Sequence, residues 1–466
     1  MSETSEASIS DESSITDTDI DIENHGILTD ITEDDIAELT ETIYELNEDF
    51  MKEHVLKLSS PTFYEDMVTC ICQLLFDDFC KSGLTHNDED GENYDEFREF
   101  VENVTENYIE WATIPQRSIK YTEFNKDIDV SSVSIKINRL QEINKNQPKQ
   151  RTEEWYDYRN GLLSASTLWK VFGSEAQRNS LIYEKCKPVD KSFSYSTNTE
   201  SAMHWGVKYE PVTIMVYENL YQTKVGEFGC IPHPRYNYIG ASPDGINIDP
   251  DSIKYGTMLE IKNIVNREIT GVPKEEYWTQ TQIQMETCDL DACDFVETRF
   301  IEYENETSFY QDESREYKGV ILYFIQRPNM GSVAEPTDNA PFYSYMPLSV
   351  PLDKESVEHW VEEERANLRG DGKALFTTLY WYLDQFSCVL IPRNRAWFYE
   401  AQPHVENLWR TIEKERNEGY EHRAAKKREP KTQVVRVGES GLNSHIQSYF
   451  IENLNLQNTV RCVKIE

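Results

Sequence analysis

The stretch "ASPDGINIDPDSIKYGTMLEIK", residues 241–262, places an aspartate in a Pro-Gly turn. It then runs into a short apolar strand that carries one glutamate and one lysine. The strand period of two puts Leu259 and Ile261 on one face and Glu260 and Lys262 on the other. The two ionisable heads then project side by side, their Cα atoms roughly 6–7 Å apart. A carboxylate in that position can bind a hard cation, and the ammonium can touch a phosphate oxygen or the water that attacks it. Asp244 lies 16 residues before Glu260, a spacing a β-hairpin can close. Each part alone is ordinary: E-x-K suits an exposed strand, and Ser-Pro-Asp-Gly is a good turn tetrapeptide. Their joint occurrence is what suggests a site.

A third carboxylate strengthens the pattern. "HWGVKYEP" sets Glu210 on a helix just before the hairpin. Three carboxylates within about 5 Å of one another would repel by several kcal/mol at an effective dielectric of ~20, so such a cluster calls for a cation. Glu210, Asp244 and Glu260 against Lys262 leave a net charge that one Mg²⁺ neutralises. Oxygen-only ligation without histidine favours Mg²⁺, with Mn²⁺ as substitute, over zinc.

Pro243-Asp244 followed by Glu260-Ile261-Lys262 resembles the signature of the PD-(D/E)XK nucleases. Four blocks in order resemble the YqaJ-type, phage-lambda-exonuclease-like branch of that family: "EEWYDYRNGLLSAS" (153–166), "MHWGVKYEP" (203–211), "ASPDG…LEIK" (241–262) and "YWTQTQIQME" (277–286). They span roughly 30% of the chain from first to last, and the acidic leader and helical flanks look like those of versions from large eukaryotic DNA viruses. The resemblance implies that Glu210, Asp244 and Glu260 bind the metal, joined by the Ile261 carbonyl. It implies that Lys262 orients or helps deprotonate the attacking water, and that Gln282, more than Gln280, lies beside the site. Arg159 and Ser166 match positions that cradle a terminal 5′-phosphate, and an arginine fork with a serine at a helix start suits an anion. A surface ion pair of Arg159 with Glu153 or Glu154 is the plainer alternative.

The elements that must position these groups divide the chain into five stretches. Residues 1–31 are rich in Ser, Thr, Asp and Glu and cannot bury enough apolar surface to offset chain entropy, so disorder is expected. Residues 32–110 show helical spacing and residues 111–150 read as a linker. Residues 151–347 alternate helices and strands, which predicts an α/β (α+β) core: a mixed central sheet flanked by helices, restriction-endonuclease-like by resemblance. Residues 348–466 are expected to be a mainly helical extension with a basic segment near Arg423–Lys431. "HNDEDGENYDEF" (86–97) has His and Phe where a calcium loop needs its end ligands, and reads as a solvated acidic loop.

Composition bounds the function. The chain has 466 residues, a net charge of −38, 38% hydrophobic residues and 12% aromatic ones. Residues 1–110 hold 32 acidic and four basic side chains, so most of the net negative charge lies in that N-terminal stretch and leaves the rest compatible with a nucleic-acid partner. Nine scattered cysteines without a C-x-x-C pair, no apolar run long enough to span a bilayer and no signal-type start predict an intracellular, non-secreted protein, and the resemblance to viral versions implies the host cytoplasm or nucleus. The resemblance implies a Mg²⁺-dependent 5′→3′ exonuclease on double-stranded DNA ends, working in viral recombination, repair or genome processing beside a single-strand annealing protein. The rival readings are a structure-selective endonuclease of the same fold and a catalytically inactive DNA-binding scaffold.

Overall fold

The computed structural model describes residues 32–82, 92–120, 129–148, 152–189, 199, 201–326 and 341–425. The leader 1–31, residues 86–91 of the acidic segment and the basic run beyond residue 425 lie outside the described residues, whereas residues 92–97, expected as loop, begin the helix Glu92–Trp111. Contacts divide the chain into two units, one of residues 1–169 with 189–409, the other of residues 170–188 with 410–466.

The first unit opens with three amphipathic helices, α1 (Glu33–His54), α2 (Phe63–Lys81) and α3 (Glu92–Trp111). Thr32 caps α1 with Asp35 in a reciprocal capping box. Ile43, Met67, Phe97, Phe100 and Val104 from the three apolar stripes close into one core. Then come β1 (Ile119–Lys120), α4 (Val130–Lys145), α5 (Glu153–Asn160), β2 (Leu163–Ser164) and α6 (Ala165–Leu168). The expected linker is therefore largely structured. Asp129 caps α4, and Ile137 and Leu140 are buried, an apolar stripe that the Asn-, Lys- and Gln-rich composition hides.

After α7 (Glu175–Cys186), which belongs to the second unit, come α8 (Ala202–Tyr221), β3 (Val225–Gly226), β4 (Ile231–Pro232), β5 (Ile239–Ala241), β6 (Gly245–Asn247), β7 (Met258–Asn263), α9 (Glu275–Cys288) and β8 (Ala292–Glu302). The chain continues through α10 (Glu306–Gln311), β9 (Lys318–Gln326), β10 (Phe342–Tyr345), α11 (Lys354–Gly370), β11 (Lys373–Pro392) and α12 (Arg395–Glu418). The main sheet runs β10-β9-β11-β8-β7-β6-β3, with β1 paired to β11. Only β7 and β8 pair in parallel within it. A small second sheet, β2-β5-β4, stands beside it. The fold is thus the expected mixed sheet flanked by helices, with one correction. The "mainly helical" extension supplies β11, a 20-residue strand between β9 and β8. Its Thr, Tyr, Trp, Val and Ile content suits a pleated surface with neighbours on both edges.

Helices cover both faces of the β7–β8 pair. Tyr217 of α8 packs with Leu259, Ile261 and Val296 on one face. Tyr277 of α9 stacks on Phe295 on the other, with ring centres 5.6 Å apart. No helix among the described residues is long and apolar enough to cross a membrane.

In the second unit, Ser174 and Gln177 form a capping box for α7. Arg423 donates to Glu415 at 2.6 and 3.0 Å and to Asn179 at 2.5 Å, so the described start of the basic segment is held by side chains of its own unit.

Candidate active site

Backbone pairing sets the first two groups. Gly245 of β6 faces Leu259 of β7, and the Asp244 N–H donates to the Leu259 carbonyl at 3.2 Å. The Asp244 carboxylate in turn accepts the Ile261 N–H at 2.6 Å. The Pro-Asp-Gly turn therefore clamps onto β7 on both sides of Glu260. Glycine is required next to it because a Cβ on Gly245 would clash with Val225 of β3. Farther along the same hairpin Gly256 takes φ +80° and meets Val133 of α4, which again excludes an ordinary side chain.

Glu260 is 1% exposed, an extreme burial for a carboxylate. One oxygen takes the Lys262 ammonium and the other accepts from Gln284 Nε2 at 2.7 Å. Lys262 is partly exposed and lies over the Tyr277 ring, 4.8 Å from its centre. Burial pushes the Asp244 carboxyl well above its ordinary range, and the charges of Glu260 and Glu210 push it further; Lys262 and the Ile261 N–H oppose them. Burial pulls the Lys262 ammonium down, but Glu260 and Asp244 more than offset this, and the net shift is upward. Lys262 therefore stays charged at neutral pH.

Glu210 stands half-buried on α8, and its charge is felt at Asp244. The structure thus joins Asp244, Glu260, the Ile261 backbone and Lys262 into one hydrogen-bonded cluster, with Glu210 acting on it through space. Among the described residues, no three His, Cys, Asp or Glu side chains stand close enough to hold a metal ion as placed. The donors that are present are all oxygens and carry excess negative charge, a set that fits a hard divalent cation in kind.

Gln282 is not beside the cluster. Its amide donates to the Pro392 carbonyl at 2.9 Å and its carbonyl accepts from the Asn394 N–H at 2.7 Å, so it ties α9 to the end of β11. Gln284, which the sequence reading missed, meets Glu260 instead. At about 100° per residue the two glutamines point to nearly opposite sides of the helix. Gln280 and Gln284, four residues apart, share the face toward the cluster. Burial gave no cue, since both Gln282 and Gln284 are almost fully buried.

Arg159, at the end of α5, lies over the Trp155 ring with its guanidinium carbon 4.8 Å from the ring centre. Ser166 is exposed in the short α6, and the buried Ser164 Oγ stands 3.3 Å from its hydroxyl. Ser164 occupies the cap position of α6. Cys288 and Cys293, which lack zinc spacing, are both fully buried, and burial pushes the Cys288 thiol up to about 12.

Over 333 residues, 65% of this chain, the sequence is 26% identical to "Uncharacterized protein R354" of Acanthamoeba polyphaga mimivirus; the match covers 59% of that relative's length. Two solved structures, of an alkaline exonuclease (LHK-Exo) from Laribacter hongkongensis and of LHK-Exo in complex with dAMP, are 20% and 21% identical. Each match covers 57% of this chain and 94% of the other, with a TM-score of 0.33. The model of the YqaJ-like viral recombinase domain matches residues 154–291, a range that holds Arg159, Ser166, Glu210, Asp244, Glu260, Lys262 and Gln284. Residues 154–291 are thus similar to a YqaJ-like viral recombinase domain, set within a longer chain.

Proposed function

We propose that this protein is a metal-dependent DNA nuclease, acting as a 5′→3′ exonuclease on double-stranded ends and leaving 3′ single strands that an annealing protein can take up. The observation that carries the reading is the Asp244–Glu260–Lys262 cluster inside the YqaJ-like domain. A fold has little structural use for several carboxylates crowded around one lysine, because their mutual repulsion costs stability. Such crowding suits a site that neutralises them with substrate and cation.

The reaction is hydrolysis: a water oxygen bonds to phosphorus, the P–O bond to the departing 3′ oxygen breaks, and a proton ends on that oxygen. A Mg²⁺ or Mn²⁺ ion held by Glu210, Asp244, Glu260 and the Ile261 carbonyl would supply Lewis-acid polarisation and a bound water of lowered pKa. Lys262 orients the attacking water, helps deprotonate it, or donates to a phosphate oxygen. The Ile261 N–H and the Asp244 carboxylate lock each other in place, and Gln284 holds Glu260. Arg159 and Ser166 are assigned to the terminal 5′-phosphate. The Trp155 ring beneath Arg159 would keep its fork in place.

The test is Mg²⁺-dependent digestion of linear duplex DNA labelled at either end, with and without a 5′-phosphate, beside Lys262→Ala. Early release of 5′-label that depends on the phosphate and is abolished by the substitution supports the reading. Cleavage of closed circles or branched DNA replaces it with an endonuclease. Binding without cleavage in Mg²⁺ or Mn²⁺ replaces it with a scaffold.

A further inference from the structure

A cavity of about 510 Å³ opens on the other side of α9. Its walls come from the β4–β5 connection, the C-terminal end of α9 and the first turns of α12. Gln284 meets Glu260, whereas Glu286, two residues on and nearly half a turn away, receives the Arg393 guanidinium at 2.6 Å on the cavity side. A helix diameter of ~10 Å therefore separates the cavity from the Asp244–Glu260–Lys262 cluster.

Two features mark the cavity as built. The first is an aromatic wall. His233 stacks on Phe398 with ring centres 5.7 Å apart and planes 7° apart, and Tyr236 lies 4.8 Å from the same imidazole. Tyr399, 77% exposed, also lines the cavity. The second is an excess of guanidinium donors over what the local acids use. Arg393 is 8% exposed and fixed by Glu286 and Asp289. Arg139 gives one N–H to the Cys288 carbonyl, while its buried Nε has no hydrogen-bond partner. Arg235 is exposed and makes no ion pair among the described residues.

His233 reports on the field these groups create. Its Nδ1 accepts the backbone N–H groups of Arg235 and Tyr236, at 3.0 and 3.1 Å, which places the ring proton on Nε2. Nε2 is buried and has no partner, although the residue is only 7% exposed. Burial, and after it Arg235, Arg393 and Arg139, push the imidazole down to about 4, so the ring is neutral.

We propose that this cavity is a second nucleotide-binding subsite, which takes one unpaired nucleotide of a DNA strand by stacking its base against Tyr236 and Tyr399 and holding its phosphate with Arg235 and Arg139. Aromatic faces interleaved with arginines are the general means of holding single-stranded nucleic acid, since every base has a π-face and every linkage a charge. The volume falls within the usual range for a bound small ligand. A base within a duplex is already stacked and cannot enter a concave pocket, so the subsite selects single strands. This inference extends the nuclease reading, supplying a hold for the strand that digestion exposes.

The test uses the full-length protein in EDTA, which keeps the probe intact, and the fluorescence anisotropy of a labelled oligothymidine. Arg235→Ala/Tyr399→Ala removes two exposed side chains and leaves the core untouched. The double variant is expected to bind the oligothymidine about tenfold more weakly, the loss of roughly one stacking contact. Duplex binding should stay within about twofold of wild type. Titration with free dAMP separates the two sources of this chemistry: displacement of the probe assigns a single nucleotide as sufficient, and failure to displace assigns a strand. Equal oligothymidine affinity in wild type and variant, or no binding by wild type, overturns the subsite. Mg²⁺-dependent duplex digestion by the wild type is scored separately, so an active nuclease with no subsite and a subsite without nuclease are distinguishable results.

Discussion

Each face of the β7–β8 pair meets a lysine–carboxylate pair, Lys262–Glu260 on one and Asp294 of β8 with Lys254 from the β6–β7 connection on the other, and the two are built on opposite principles. On the α9 face Lys262 meets Glu260, with Asp244 beside them and Glu210 adding its charge, so negative groups outnumber the cation. On the α8 face Lys254 meets Asp294 one to one, and both side chains are fully buried. Tyr217 donates to the same Asp294 at 2.6 Å, and the Lys254 ammonium sits 4.1 Å from the Tyr221 ring centre. Burial pushes the Asp294 carboxyl up and the Lys254 ammonium down, and each partner resists the shift of the other. The α8 face is neutral and closed; the α9 face has surplus charge and a partly exposed lysine. One strand pair thus holds a balanced, buried ion pair on one side and an unbalanced, partly exposed one on the other, the side to which the chemistry is proposed to belong.

Substitutions can break that contrast, and the largest effect is expected at Lys262. Lys262→Ala should lower Mg²⁺-dependent digestion by the folded protein about 10³-fold, roughly 4 kcal/mol of transition-state stabilisation, a loss that added Mg²⁺ does not restore even where it recovers the melting temperature. Retained activity would move the chemistry off this face. Lys254→Met should do the reverse: it leaves Asp294 buried and unpaired and should cost about 3–5 kcal/mol of stability in a denaturant titration, with normal activity in the folded fraction. Adding Asp294→Leu should recover most of that loss, since a hydrophobic pair of similar volume replaces the ions. A double variant no more stable than the single one would show that Asp294 does more than balance Lys254.

His233 belongs to neither face and calibrates acid sensitivity. Its folded-state pKa of about 4 lies below the ordinary value of 6.5, so the folded state binds fewer protons than the unfolded chain in that window. Its contribution is complete above pH 6.5 and is lost as pH falls toward 4, amounting to at most ~3 kcal/mol. His233→Gln should flatten the pH dependence of the denaturation midpoint between those limits. An unchanged slope would place the acid sensitivity elsewhere.

The smallest effects sharpen the comparison within α9. Gln284→Ala should slow digestion about tenfold in the folded fraction and also cost about 1–3 kcal/mol of stability, by leaving one buried Glu260 oxygen without its donor. Gln282→Ala should cost about 1–2 kcal/mol of stability and spare the rate, because it unties α9 from residues 392–394. Reversed results would return Gln282 to the site.

The sequence alone determined the centre of this protein. Strand alternation set Glu260 and Lys262 on one face, and the Pro-Asp-Gly turn with its hairpin spacing brought Asp244 to them, because these are local rules of a period and a turn. Block order identified the domain, and the alternation of helices and strands gave a mixed sheet. Tertiary structure decided what depends on partners distant in sequence. Lys254 looked like one more polar residue of a long hairpin until Asp294, 40 residues on, received it in the core. Residues 373–392 carried strand propensity, but their place between β9 and β8 required neighbours that only the folded sheet supplies. Which glutamine of α9 meets Glu260 was settled by the rotation of the helix against β7: one face of α9 had to bind residues 392–394, and that left the other for the site.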